Sequence, residues 1–347
     1  MFVERVEYVI VGAGPAGLRA AQVLAEAGRD VLVLERHPVV GPKTCAGALS
    51  PKAACELAAL GLPPEAGRIA VAEISFRGER PRPLDAQAAR VMTVARAVLG
   101  RYQRGWAERA GATIRTGMPV TAIDIHGRSV SAGGRRIRYR TLIGADGSCS
   151  IVRRAAGLPI RRRLFAAEYN VPQLPGDRLQ VLLDSPALGS GYFWVFPHRD
   201  YVSIGAGADN RVVPPPQVRR HLDERLARSA IDVGATPLEA AAIEVDFAGF
   251  HPAPGVHLAG DAAGVASALT GEGIYAALVT GEEVARRLLD PRFPMPKTRA
   301  WLRMKRRHDR LAALWRRRVA RDLSIAMFRP LARLPAGRRW LSTLFLG

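Results

Sequence analysis

Two stretches of this 347-residue sequence carry residue types that can hold a nucleotide. The first is Gly12-Ala13-Gly14-Pro15-Ala16-Gly17. Gly12 permits a tight turn, Gly14 lets backbone approach a pyrophosphate, and Gly17 lets a helix pack close to a sheet. A helix that starts there turns free amides and its positive dipole end toward phosphate. Glu35 stands 18 residues beyond Gly17, where a carboxylate accepts from ribose hydroxyls and repels a 2′-phosphate. NADP is therefore disfavoured as the resident nucleotide, but the turn alone does not separate FAD from NAD. The second stretch decides for FAD. Gly260-Asp261 places a carboxylate at another strand end, able to meet ribityl and pyrophosphate from the far side. Thr270-Gly271-Glu272-Gly273-Ile274 then opens a helix whose amides would face the flavin pyrimidine edge and favour reduced flavin. Taken alone, Asp261 reads more simply as a helix N-cap.

The elements that must position these groups follow from periodicity and chain breakers. Residues 6–11 form a β-branched strand, 18–27 a helix, and 31–34 a second buried strand, a βαβ unit ending at Glu35. Helices are expected at 51–60 and 97–109, strands at 68–77, 112–115, 120–125 and 137–143, the last running into Gly144-Ala145-Asp146-Gly147. The middle is strand-rich, at 179–183, 192–196, 201–206 and 243–247, with a helix at 216–226. A buried strand at 256–259 and a helix at 274–289 follow, and Pro291, Pro294 and Pro296 mark a break. The fold class is α/β: a Rossmann-type FAD-binding domain (1–65, 88–158 and 250–290) interrupted by a β-rich substrate domain (66–87 and 159–249). A helical basic tail occupies 291–347, with Trp301, Met304, Leu311, Trp315, Val319 and Leu323 on one face.

Hydrophobic residues make up 48% and charged residues 24%, a globular rather than a disordered composition. The net charge is +20, and fifteen Lys or Arg against Asp309 and Asp322 put +13 of it in residues 297–347. Such a face attracts anions. Because bulky apolar residues such as Ile325, Phe328 and Trp340 interleave with the arginines, an anionic membrane surface suits the tail better than nucleic acid. Packing of those residues on the enzyme body is the alternative, and a genomic bias toward Arg and Ala is another source of the charge. Cys45, Cys55 and Cys149 are odd in number and show no CxxC pair, which argues for a reducing, cytoplasmic compartment and against a thiolate metal site. His198, His251, His257 and His308 show no ligand spacing, so no metal is expected. No run of about 18 apolar residues occurs, so the expected membrane contact is peripheral, on the inner face of the cytoplasmic membrane.

Gly12 to Gly17, Glu35, Arg96, Gly144 to Gly147, Tyr192-Phe193-Trp194-Val195-Phe196-Pro197 with Gly205-Ala206-Gly207, and Gly260 to Ile274 together resemble the geranylgeranyl reductase family. The resemblance spans residues 5–290. It implies a fold shared with aromatic hydroxylases and an FAD-dependent reduction of isolated isoprenoid double bonds. It further implies FAD contacts from Ala16, Glu35, Cys45, Ala46, Ala48, Arg96, Val120, Asp146, Asp261, Gly273 and Ile274. Cys45 would lie beside the isoalloxazine, and Tyr192, Trp194, Phe196 and Pro197 would line a lipid cavity. Without the resemblance, Cys45 is equally a small buried thiol, the aromatics are sheet core, and Asp146-Gly147 is a common turn. Ala48 and Gly100 depart from the family's usual Gly and Asp. Alkene reduction needs hydride on one carbon and a proton on the other, and Cys45, Tyr192 or water are the candidate proton donors. With one dinucleotide turn, the electron donor must be a visitor, NAD(P)H or a reduced ferredoxin-type protein. A flavin monooxygenase of an aromatic or polyketide is the competing reading; Gly264, where many hydroxylases carry His, favours reduction.

Overall fold

The computed structural model describes residues 4–84, 90–172, 174, 176–229 and 231–346. Two sheets organise it. The first has seven strands: Thr113–Arg115, Val31–Leu34, Glu4–Val11 and Arg135–Gly144 lie side by side in that order, all parallel. Beyond Arg135–Gly144, its C-terminal half pairs in parallel with Val256–Leu258 and its N-terminal half antiparallel with Ser129–Ala132. Val9, Val11, Leu32, Leu34 and Leu142 enter one core, and Tyr8, Ile10, Val31, Val33 and Ile143 enter another on the opposite face. Burial on both faces is why these strands are continuous apolar runs without alternation.

Helix Pro15–Glu26 follows the glycine turn, and helix Ile274–Leu289 follows the second motif. They pack against each other where Gly281 lies directly on the Ala16 backbone, a crossing with no room for a Cβ. Buried Arg19 clamps the pair, donating to Glu282 at 2.9 Å. This crossing brings both helix starts to the same end of the parallel sheet.

The second sheet has nine strands in the order Glu239–Glu244, Arg163–Pro172, Tyr201–Asp209, Tyr192–Pro197, Arg178–Leu183, Arg68–Phe76, Arg90–Thr93 and Ala48–Leu49, with Arg82–Pro83 paired to Arg68–Phe76. Ala48–Leu49 and Arg90–Thr93 hydrogen-bond into this sheet, although the expected boundaries would give them to the FAD-binding part. Part of the expected 66–87 segment lies outside the described residues.

Three helices form the tail: Pro296–Trp315, Arg318–Leu331 and Pro335–Leu346. The expected single apolar face does not run through. Trp301 and Trp315 are buried, but the chain turns at Arg316-Arg317 and leaves Val319 and Leu323 exposed. Inward, Trp315, Ile325, Phe328, Ala332 and Leu341 share a core with Ile74, Phe76, Leu179, Trp194 and Phe196 of the second sheet. The tail therefore covers that sheet.

Candidate active site

The glycine turn is built as its spacing requires. Gly12 has φ +100°, and a Cβ there would stand 2.5 Å from the Ala145 carbonyl oxygen. Gly17 abuts the Gly12 carbonyl, whereas nothing stands within 4 Å of a Cβ at Gly14, leaving that side open for a phosphate. Helix Pro15–Glu26 has no side-chain cap and no acidic residue in its first turn, so its leading amides remain available to an anion. Glu35 turns back onto this motif, accepting from the Ala13 amide at 2.8 Å and the His37 amide at 3.0 Å.

The second motif arrives beside the first. Gly260 sits so close that a Cβ on it would be 3.0 Å from the Ala16 Cβ. Asp261 lies on the short helical turn Gly260–Ala263, accepts from Ser148 Oγ at 3.3 Å, and is 3.6 Å from Lys43 Nζ. Helix Ile274–Leu289 likewise starts uncapped at Gly273. Gly264 takes a left-handed backbone (φ +72°), and a Cβ on it would stand 1.9 Å from the Asp246 carbonyl oxygen, so this contact leaves no room for a side chain.

From this point a single cavity runs inward. Gly14, Pro15, Ala16, Arg96, Gly260, Asp261, Gly273 and Ile274 of the nucleotide motifs line it, together with Cys45, Ala46, Ala48, Tyr192 and Glu272. An apolar cluster adds Ile74, Leu179, Trp194, Phe196, Trp315 and Phe345 to its wall. The last two come from the tail, a contribution that sequence patterning did not suggest. Gly205 is the reason Trp194 fits: any Cβ there would strike the indole. Gly100 is explained similarly, since a Cβ on it would be 2.5 Å from the Cα of Gly41.

Several expected site residues carry structural contacts of their own. Asp146 gives its carboxylate to Ser150 Oγ at 2.6 Å and the Ile151 amide at 2.6 Å, so it holds the start of helix Ile151–Ala155 and does not line the cavity. Val120 begins the outer strand Val120–Asp124 and is likewise absent from the cavity wall. Pro197 is a brace: its carbonyl accepts from Thr93 Oγ1 at 2.5 Å, and it too lies off the wall. Tyr192 lines the cavity, but its hydroxyl is committed to the Thr270 carbonyl at 2.6 Å, and burial raises its pKa well above the ordinary phenol range. Among the described residues no cluster of three or more His, Cys, Asp or Glu is placed for a metal.

Glu272 and Glu168 on the cavity wall, and His198 behind it, were given no role by sequence reasoning, whereas Arg96 was. Glu272 has a buried Oε1 with no partner, and burial pushes its carboxyl up to about 7. Glu168, 1% exposed, accepts from the Cys45 amide at 2.7 Å and Ser203 Oγ at 2.8 Å. His198 bonds the Ala46 carbonyl through Nε2 at 3.0 Å, and burial lowers it to about 4, so it braces as a neutral ring. Arg96, also on the wall, has a buried Nε without a partner. Two uncapped helix starts, an unpaired guanidinium and the acids Glu35 and Asp261 make a donor and acceptor set that fits FAD.

Comparison with known proteins agrees with this geometry. Residues 5–289 match the FAD binding domain family. Digeranylgeranylglycerophospholipid reductase 1 of Methanopyrus kandleri is 33% identical over 302 residues, covering 79% of this chain and 78% of the relative. The chain belongs to the geranylgeranyl reductase family. As a member it is an FAD-dependent oxidoreductase. Menaquinone reductase of Mycobacterium tuberculosis is another similar protein, 31% identical over 325 residues, covering 82% of this chain and 77% of that one. Among solved structures, a geranylgeranyl bacteriochlorophyll reductase-like protein from Thermoplasma acidophilum matches with a TM-score of 0.77 and 22% identity, covering 96% and 92% of the two chains. p-Nitrophenol 4-monooxygenase of Pseudomonas putida matches with a TM-score of 0.72 and 21% identity, covering 98% of each chain, so the reductase family and such monooxygenases share a fold.

Proposed function

We propose that this family member reduces isolated carbon–carbon double bonds of an isoprenoid or polyprenyl lipid. The observation that carries the reading is the cavity: the residues of the two nucleotide motifs and the apolar cluster of Ile74, Leu179, Trp194, Phe196 and Trp315 line the same space. An apolar cluster of that size suits a hydrocarbon chain. FAD, when bound and reduced, supplies the hydride. The chain's own residues hold the nucleotide through Gly14, Glu35, Arg96 and Asp261, exclude water, and supply the proton for the second carbon. Glu272 is the proton source we favour, because the residue lines the cavity and one of its carboxyl oxygens is buried without a partner, whereas the Tyr192 hydroxyl is engaged with Thr270. Cys45, a third proton-bearing group on the wall, would lie on the flavin face. The electrons come from a visiting NAD(P)H or ferredoxin-type protein, and the lipid arrives from an anionic membrane surface on which the tail rests. Turnover of a polyprenyl lipid by dithionite-reduced enzyme under strict anaerobiosis tests the reaction. Saturated product should form without dioxygen; strict dependence on dioxygen would make the protein a monooxygenase.

A further inference from the structure

Glu168, Gly205 and Trp194 lie directly opposite one another on three adjacent strands, Glu168 facing Gly205 and Gly205 facing Trp194. Directly opposed residues share one face of a sheet, which here is the face that borders the cavity. With no side chain at Gly205, the indole crosses the gap and its Nε1–H donates to Ser203 Oγ at 2.9 Å. Ser203 in turn donates to Glu168 Oε2 at 2.8 Å, and the other carboxylate oxygen accepts from the Cys45 amide at 2.7 Å. Glu239, opposite Glu168 on the next strand, accepts from Thr44 Oγ1 at 3.3 Å, so the same sheet level docks both residues of the Thr44-Cys45 segment.

We infer that Glu168 is a positioning residue: its carboxylate ties the Cys45 segment and, through Ser203, the Trp194 indole into one geometry on two sides of the cavity. The chain of donors runs one way. The indole and the amide can only donate, Ser203 passes its own proton on, and every link ends on Glu168. Burial raises the Glu168 carboxyl, and no cation pairs with it among the described residues. An apolar residue of the same shape would hold the strands together without burying a carboxylate, so its presence calls for a role beyond packing. Under the reading above, one side of this link meets the flavin and the other meets the lipid, so displacing either side displaces the other.

Cysteine reactivity in the purified, flavin-loaded full chain tests this without any substrate. Cys55 and Cys149 are exposed and serve as references in the same sample. With iodoacetamide and peptide mass mapping, Glu168→Ala should alkylate Cys45 at least about tenfold faster relative to both references, because the amide anchor is gone. Glu168→Gln, whose oxygen still accepts from Cys45 and whose amide donates to Ser203, should stay within about threefold of wild type. Ser203→Ala touches Trp194 and not Cys45, yet should raise the Cys45 rate by about threefold or more and raise KM for a polyprenyl substrate with a smaller change in kcat. A Cys45 rate unchanged by Ser203→Ala would overturn the coupling, as would a Gln variant as reactive as the Ala variant. If these rates respond as expected but no polyprenyl lipid is reduced, the positioning role stands and the assigned reaction fails.

Discussion

Under the proposed reaction, the chemistry of the cavity turns on Glu272. Burial raises its carboxyl to about 7, opposed by a hydrogen bond from Ser50 and by nearby Lys52. An acid poised there can give up a proton at neutral pH, which an ordinary glutamate, ionised throughout that range, cannot. The sign follows. The folded pKa lies above the unfolded value of 4.5, so the neutral form is favoured by folding; its contribution to stability is complete below 4.5 and is lost as pH rises through about 7. Proton delivery is lost over the same upper limb. The kcat for alkene reduction should therefore fall about tenfold per unit above pH 7. Glu272→Gln should lower kcat at pH 6 by about 100-fold and flatten that limb. A pH profile of the variant that kept the descending limb would move the proton source to another group.

At the scale of elements, buried Lys305 shows how the tail is fixed to the flavin-binding part. It is 1% exposed, and its ammonium donates to the carbonyls of Val245 and Ala266, the latter at 2.9 Å, and pairs with Asp309 at 3.1 Å. Burial lowers its pKa, and Asp309 opposes that. Lys305→Ala leaves two buried carbonyls unpaired and a void, and should destabilise the protein by about 3 kcal/mol, read from the midpoint of denaturant unfolding. Contacts of this kind were not legible in the sequence. Strand Val31–Leu34 and helix Ile274–Leu289 were, because their apolar patterns are local and their ends carry glycine, acid or proline. Strand Arg163–Pro172 was missed because its first half, Leu164-Phe165-Ala166-Ala167, shows no alternation and only Glu168 to Val171 does. Glu168 is at home in it through Cys45, 123 residues away, and Ser203, 35 residues away. The strand expected at 243–247 instead covers Glu239–Glu244, because Asp246 leaves the sheet to meet Arg153 at 3.0 Å. The cofactor motif was readable since glycine spacing and backbone geometry determine each other; the cavity wall was not, since its residues meet only after two sheets and a tail have folded.

For the whole molecule, the tail has two faces of different surroundings, one packed on the cavity and one exposed. Its inner face closes the apolar cavity with Trp315 and Phe345. On its outer face Val319, Leu323 and Met327 recur every four residues along helix Arg318–Leu331 and are 73%, 63% and 63% exposed. An exposed apolar stripe of that length is unusual on a protein that meets only water. The helix is preceded by the exposed Arg316 and Arg317 and opens on exposed Arg318, within a segment that carries most of the net charge. No helix among the described residues is long and apolar enough to cross a membrane, so a bilayer contact here would be interfacial. An anionic surface fits both features: arginines gain about 1 kcal/mol each near it, and the stripe leaves water for the acyl boundary. The consequence for the proposed reaction is that one tail helix would rest on the lipid store while its two neighbours roof the pocket into which a lipid must pass. In flotation assays the protein should bind phosphatidylglycerol-containing vesicles, bind phosphatidylcholine vesicles poorly, and be released by salt. Replacing Val319, Leu323 and Met327 together by Ser should weaken binding at least about tenfold while leaving flavin content and melting temperature near wild type, because none of the three packs inward. If the triple variant floats as well as wild type, the stripe is not the contact; if neither binds, the tail does not engage an anionic bilayer.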